Sequence, residues 1–218
     1  MIDDQRNKTR RIMVFQLIHR ARKESLTSMR TEDMAKCMDV SKVTMYKYFA
    51  SKEDILSSVI SIFKDYLRNE DMFSFSENDS LLDRYQKSFE QSLMTNFYFP
   101  EQFVEDFKLN YPSLYEEIVD AQHFRFKQLE ELYQLGLEQG IFNRVNAAIF
   151  VLNDEIVLRR ILDPSFLIRH GLLLEKALMD YYHMQKRTLL TNECLQTVDD
   201  TPVLELIRSF VSKNSRYL

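Results

Sequence analysis

Glycine and proline are nearly missing from this 218-residue chain. It holds three Gly (136, 140, 171) and four Pro (100, 112, 164, 202), so the first 99 residues contain neither of the two residues that most strongly punctuate a helix. The scarcity of glycine also excludes phosphate-cradling loops and dinucleotide fingerprints, because no G-x-G or G-K-[ST] occurs anywhere. Cys37 and Cys194 lie far apart with no C-x-x-C spacing, which leaves neither a disulfide framework nor a zinc site and fits a reducing cytoplasm. Asp3 and Asp4 precede any apolar run, and no stretch approaches the roughly 18 uncharged residues of a membrane span. A cytoplasmic protein without membrane insertion is expected. The four His (19, 123, 170, 183) include no H-E-x-x-H and no i, i+4 pair, no G-x-S-x-G occurs, and nothing near Cys194 activates it. No metal, cofactor or catalytic residue is therefore expected, and the chain does not read as an enzyme.

What is present is ordinary globular composition, 45% hydrophobic and 28% charged, in a length that suits one large domain or two small ones. The net charge of −4 conceals an asymmetry. Residues 1–60 hold 12 Lys+Arg against 8 Asp+Glu, and the remainder holds 17 against 25. A basic start on an acidic body suits a segment that meets a polyanion, although a difference of four charges does not decide it. Aromatic residues run the other way: 4 of the 27 Phe and Tyr fall in residues 1–60, and 11 fall between Tyr85 and Phe126. The larger core or cavity belongs to the C-terminal part.

Helical spacing accounts for nearly the whole chain. Ile12, Phe15, Ile18 and Ala21 mark a first helix over 6–22. Thr31, as a hydroxyl cap before Glu32 and Asp33, opens a second that runs to about Met38. Asp39-Val40-Ser41 breaks it, and Ser41 caps a third over 42–49. Ser51 with Asp54 resembles a capping box for a fourth helix running to about Leu67. A polar stretch over 70–80 reads as a loop. Helices are then expected from Leu81 to a stop at Pro100, around Phe103 and Phe107, over 113–139 with Gly140 as left-handed cap, over 145–162 closed by Asp163-Pro164, over 172–190, and after Thr201-Pro202. No alternating strand pattern and no internal repeat appears. The fold class is all-α.

Two short helices joined by a three-residue turn and preceded by a longer helix form the helix-turn-helix arrangement of DNA readers. Topology alone is a weak signal, and the residues sharpen it. Asp33-Met34-Ala35-Lys36, Val40 through Phe49 (VSKVTMYKYF) and Ser51 through Leu56 (SKEDIL) closely resemble the TetR/AcrR family of transcriptional regulators, whose pattern runs IA-x(3)-GVS-x-G-T-[LI]-Y-x-[YH]-F-x-[ST]-K-E-x-L. The match covers about residues 10–60, and beyond it agreement is in length and helical layout. The resemblance implies a three-helix DNA-binding head over 1–50 and a ligand-binding and dimerisation body over 51–218, with the helix over 51–67 linking them.

It also assigns roles. Ala35 lets two helices cross closely, and Val40, Met45 and Phe49 make a miniature core. Thr31, Ser41 and Lys52 stand at helix starts, where they meet phosphates or serve as caps. Lys42, Thr44, Lys47 and Tyr48 lie where side chains reach base edges or flanking phosphates, and Tyr46 places its hydroxyl on the backbone. Two positions depart from the pattern. Asp39 replaces a turn Gly, tolerable because Asp visits positive φ. Val43 replaces a second Gly; it either limits the approach of the backbone to DNA or makes an apolar contact of its own, such as one to a thymine methyl.

The same resemblance implies a homodimer joined by the last two long helices and a small-molecule cavity in the body. Tyr85, Phe89, Phe97, Phe103, Phe107, Tyr111, Tyr115 and Phe126, with His123 and Asn153, are the candidates to line it; as rings at helical spacing they are equally readable as packed core. Glu101, Glu105, Asp106, Glu116 and Glu117 flank the series, which favours lipophilic effectors and among them cations. The function expected is that of a repressor released from a palindromic operator by a lipophilic effector. The alternative is a DNA-associated structural or protein-interaction factor on the same scaffold without an effector.

Overall fold

A computed structural model describes residues 2–21, 24–68 and 79–214. Most of the loop expected over 70–80, and the expected end of the first helix at Arg22, lie outside the described residues. Among those described the secondary structure is helical without strands, apart from one isolated antiparallel bridge between Phe142 and Leu190. The helices are α1 (Ile2–Ala21), α2 (Thr31–Cys37), α3 (Lys42–Tyr48), α4 (Lys52–Arg68), α5 (Leu81–Tyr98), α6 (Glu101–Asn110), α7 (Pro112–Glu138), α8 (Ala147–Ile161), α9 (Pro164–His170), α10 (Leu174–Leu189), α11 (Asn192–Thr197) and α12 (Thr201–Asn214). None of the described helices is long and apolar enough to cross a membrane.

Two short helices, α9 and α11, were not legible in the sequence. Asp163-Pro164 ends α8 as expected but also opens α9: the Asp163 carboxylate accepts from the Ser165 N–H, and Pro fits a first helical turn because its missing N–H has no partner there. At the end of α7, Gly140 takes φ 69, the left-handed cap expected of it.

By contacts the chain forms two compact units: Met1–Asp71 with Tyr98–Gln122, and Met72–Phe97 with His123–Leu218. This grouping differs from a boundary at residue 50. In the first unit α4 buries Ile55, Leu56, Val59 and Phe63 on one stripe, packs along α1, and shares its rings with α6 and the segment before it. The Phe63 ring meets Phe99 edge-on at 4.9 Å and Phe103 at 5.9 Å. Asn110 at the end of α6 donates to the Thr27 hydroxyl, and Lys64 pairs with Glu117 at 2.8 Å.

The second unit is built on α5, α8, α10, α12 and most of α7. Its apolar core includes Phe89, Leu93, Leu158, Leu178 and Ile207, all buried. Gly136 is required by close approach, since a Cβ there would stand 2.0 Å from the Phe142 ring. A polar seam crosses this core. Arg125 donates to Gln91 at 2.9 Å and to Ser92 at 2.5 Å, and Gln185 donates to Asp154 at 2.8 Å and to the Tyr181 hydroxyl at 2.9 Å. Burial raises the Asp154 pKa, with the Ser92 hydrogen bond, the Arg125 charge and Gln185 pulling the other way.

Candidate nucleic-acid interface

The turn between α2 and α3 is closed by backbone bonds from Asp39 N–H to Lys36 O and from Val40 N–H to Ala35 O. Asp39 takes φ 60 there, so the residue standing where glycine is usual adopts the left-handed conformation the turn needs. Ser41 is the N-cap of α3: its backbone is extended, and its hydroxyl accepts from the Thr44 N–H at 3.0 Å. Ala35, Met45 and Phe49 are buried, which fixes the angle between the two short helices.

α1 holds the other end of α3. Arg6 donates to the Lys47 carbonyl at 3.1 Å and Arg10 to the Tyr48 carbonyl at 2.9 Å, so two of the last, otherwise unpaired, carbonyls of α3 are met by guanidinium groups. Arg10 also donates to Asp54 at 2.7 Å and to Ser58, and lies over the Phe49 ring at 4.7 Å. Partial burial opposes the Asp54 charge, but the Arg10 hydrogen bond and the Ala50 N–H outweigh it and hold the carboxyl below its usual range. The capping box at α4 forms with one change: Ser51 accepts from the Asp54 N–H, while Asp54 reaches back to the N–H of Ala50. Sequence reading passed over Arg6 and Arg10, although their i, i+4 spacing places them on one face of α1.

With Met45 and Phe49 buried and Tyr48 half-buried, the outward face of α3 carries Val43, Tyr46 and Lys47 at i, i+3 and i+4, all exposed. Other expected contact residues are already engaged. Lys42 donates to Glu32 at 2.5 Å, a pair that lowers the Glu32 pKa and raises that of Lys42. The Thr44 hydroxyl shares a hydrogen bond with Ser41 at 2.9 Å. Lys52 donates to the Thr27 carbonyl at 2.6 Å, which ties the start of α4 to the α1–α2 connection. Thr31 is not the cap expected of it. Arg30 occupies the N-cap position with no side-chain bond, and the Thr31 hydroxyl lies one residue inside the helix, 3.4 Å from Glu32.

The ten residues expected to line a cavity are divided between the two units. In the first, Phe103 and Phe107 are buried with ring centroids 4.8 Å apart, Tyr111 follows at 6.2 Å from Phe107, and Tyr115 is half-buried. In the second, Phe89 packs on Tyr182 at 5.2 Å, Tyr85 stacks on Tyr182 at 6.2 Å, and Phe97 meets Phe210 at 5.0 Å. Phe126 is half-buried, His123 is exposed, and Asn153 is exposed with its amide directed to the Tyr181 hydroxyl at 3.3 Å. Tyr85, Phe89, Phe97, Phe103, Phe107 and Tyr111 thus each pack against another ring. Of the flanking acids, Glu101, Glu105 and Glu116 are exposed and Glu117 is paired with Lys64, whereas Asp106 is buried beside Phe107 and accepts from Gln102 at 2.9 Å. A cleft of about 710 Å³ in the second unit is lined by Glu130, Tyr133, Gln134, Asn143 and Asn146 among others, none of them among the ten. Tyr133 lay outside the ring-rich window that drew attention in the sequence.

No family model matches the sequence, and no curated protein does. Solved structures do. A TetR transcriptional regulator from Chloroflexus aurantiacus superposes with a TM-score of 0.61 at 14% identity, covering 86% of this chain and 100% of that one. The fold is that of the TetR-type regulators. AibR in complex with isovaleryl coenzyme A and operator DNA gives 0.53 at 14% identity over 79% of this chain and 97% of its own. The superantigen PfiT also superposes on this chain, with a TM-score of 0.56 at 16% identity over 84% of this chain and 97% of its own. One TetR-type scaffold therefore carries different activities, and the reading of this chain rests on its own side chains.

Proposed function

We propose that the protein is a sequence-specific DNA-binding transcriptional regulator, acting as a homodimeric repressor that a small lipophilic effector releases from a palindromic operator. The outward face of α3 carries this reading. Val43, Tyr46 and Lys47 project from a seven-residue helix held at one end by Ser41 and at the other by Arg6 and Arg10. A short helix so braced, with Val43, Tyr46 and Lys47 exposed on its outer face, suits insertion into a major groove. Lys47 and Val43 read bases, Lys42, Thr44 and Tyr48 flank them, and Ser41, Thr31, Tyr46 and Lys52 meet phosphates.

Dimerisation is supported by α8, where Ile149, Leu152 and Ile156 form an exposed apolar stripe at i, i+3 and i+7. Two copies joined there present two α3 helices to two half-sites. Effector control requires only that the ligand bind the released state more tightly than the DNA-bound one. Because the body rings are packed on one another, a lipophilic effector that binds among them opens space there, and its binding energy then favours a changed arrangement. That same packing favours the second reading, a DNA-associated factor with no effector. Footprinting the purified protein upstream of its own gene, followed by screening lipophilic compounds for release of the complex, tests both. Protection of an inverted repeat is expected. Absence of any protected site overturns the regulator reading, and a protected site that no ligand releases favours the second.

A further inference from the structure

We infer that Val43 is a thymine-reading residue that recognises the C5-methyl group of one base in each operator half-site; this rests on the DNA-binding reading above. Three observations converge on it. Val43 is 72% exposed, the most open large apolar side chain among the described residues of the first unit apart from Leu109. It sits in the first turn of α3 on the exposed face that also carries Tyr46 and Lys47. Its polar neighbours are occupied within the protein: Lys42 by Glu32, and the Thr44 hydroxyl by Ser41.

The chemistry then narrows. Isopropyl neither donates nor accepts a hydrogen bond, so it gains nothing from the N7, O6, N6 and N4 groups that distinguish the other bases in the major groove. The thymine methyl is the one apolar feature displayed there. A β-branched side chain in a helix is held in essentially one χ1 rotamer, so the two Val43 methyl groups are fixed before DNA arrives and lose little freedom on contact. Ser41 and Arg6 anchor the two ends of the helix, which fixes the depth at which that side chain is presented. Lys47 remains free to bond a neighbouring base edge, so the methyl contact adds one selective position to a polar readout.

The test separates this inference from the function it rests on. The full-length protein is used to select sequences from a random duplex pool. Each thymine of the recovered half-site is then replaced by deoxyuridine, which removes the C5-methyl and nothing else, and binding is measured for the wild type, Val43→Ala and Val43→Thr. At one thymine per half-site, deoxyuridine is expected to weaken the wild type by about three- to tenfold, as loss of one buried methyl contact implies. Val43→Ala is expected to bind the thymine and deoxyuridine operators equally, while keeping the wild-type response at every other position. Val43→Thr keeps the shape and one methyl, and falls between. Wild-type binding indifferent to every deoxyuridine, or Val43→Ala with undiminished methyl sensitivity, overturns the inference while leaving sequence-specific binding intact. Failure to select any sequence overturns the DNA-binding reading itself.

Discussion

Lys42 and Glu32 form an ion pair across the helix-turn-helix, Nζ to Oε1 at 2.5 Å, so the first cation of α3 is engaged by α2 before any DNA is present. Phosphates compete with that carboxylate for the same ammonium group. Glu32→Gln is therefore expected to tighten binding to operator and random DNA alike, and to steepen the dependence of log affinity on log salt by about one unit, the signature of one added phosphate contact. Salt titrations of the wild type and Glu32→Gln measure it, and an unchanged slope would place Lys42 away from the phosphates.

Gly136 faces Phe142 at a distance no side chain can occupy. Gly136→Ala must push the ring aside, together with the Phe142–Leu190 bridge and the Asn143 N–H bond to Leu189. A loss of about 1–3 kcal/mol is expected by thermal or urea denaturation, the range of overpacked cores, although alanine is the better helix former. A stabilised variant would mean that Phe142 has room to move.

Asp154 makes a pH prediction whose sign is opposite to that of an ordinary paired carboxylate. Its folded pKa is raised above the ordinary 3.8, so the folded state binds the proton more tightly than the unfolded one. Its contribution to stability is most favourable below about pH 4 and declines as pH rises through the folded pKa. Asp154→Asn removes that dependence while an amide oxygen still accepts from Gln185. The melting temperature of the variant is expected to gain on the wild type as pH increases from 4 to 7. A difference that stays constant over that range would show that Arg125 fully compensates the charge.

Ile156 and Leu178 distinguish a dimer face from a core. Ile156 is 58% exposed in one copy, whereas Leu178 is fully buried. Ile156→Glu is expected to yield a folded monomer, with unchanged circular dichroism and half the mass in light scattering. Leu178→Glu is expected to cost several kcal/mol and unfold the body, because its carboxylate has no partner there. A dimeric Ile156→Glu would move the interface off this stripe of α8.

Local chemistry made much of the head legible. Ser41 caps α3 because a hydroxyl before a helical run satisfies an orphan N–H whatever surrounds it, and Asp39 reached φ 60 because the turn demands it and Asp tolerates it. The ends of the long helices followed from Pro100, Pro112 and Gly140 for the same local reasons. The sequence by itself thus determined the all-α class and the turn, whereas Thr44 and Tyr48, read from it as outward on α3, are half-buried. Tertiary structure alone decided which partners the long polar side chains take. Lys52 bends to the Thr27 carbonyl, Lys42 to Glu32, and Arg10 to Asp54 and Tyr48, since a flexible stem reaches several acceptors and folding selects among them. It also decided the fate of the rings. Spacing places Phe89, Phe97, Phe103 and Phe107 on buried faces, but whether a buried ring meets a cavity or another ring depends on helices distant in sequence, and Tyr182 and Phe210 supply that contact for Phe89 and Phe97.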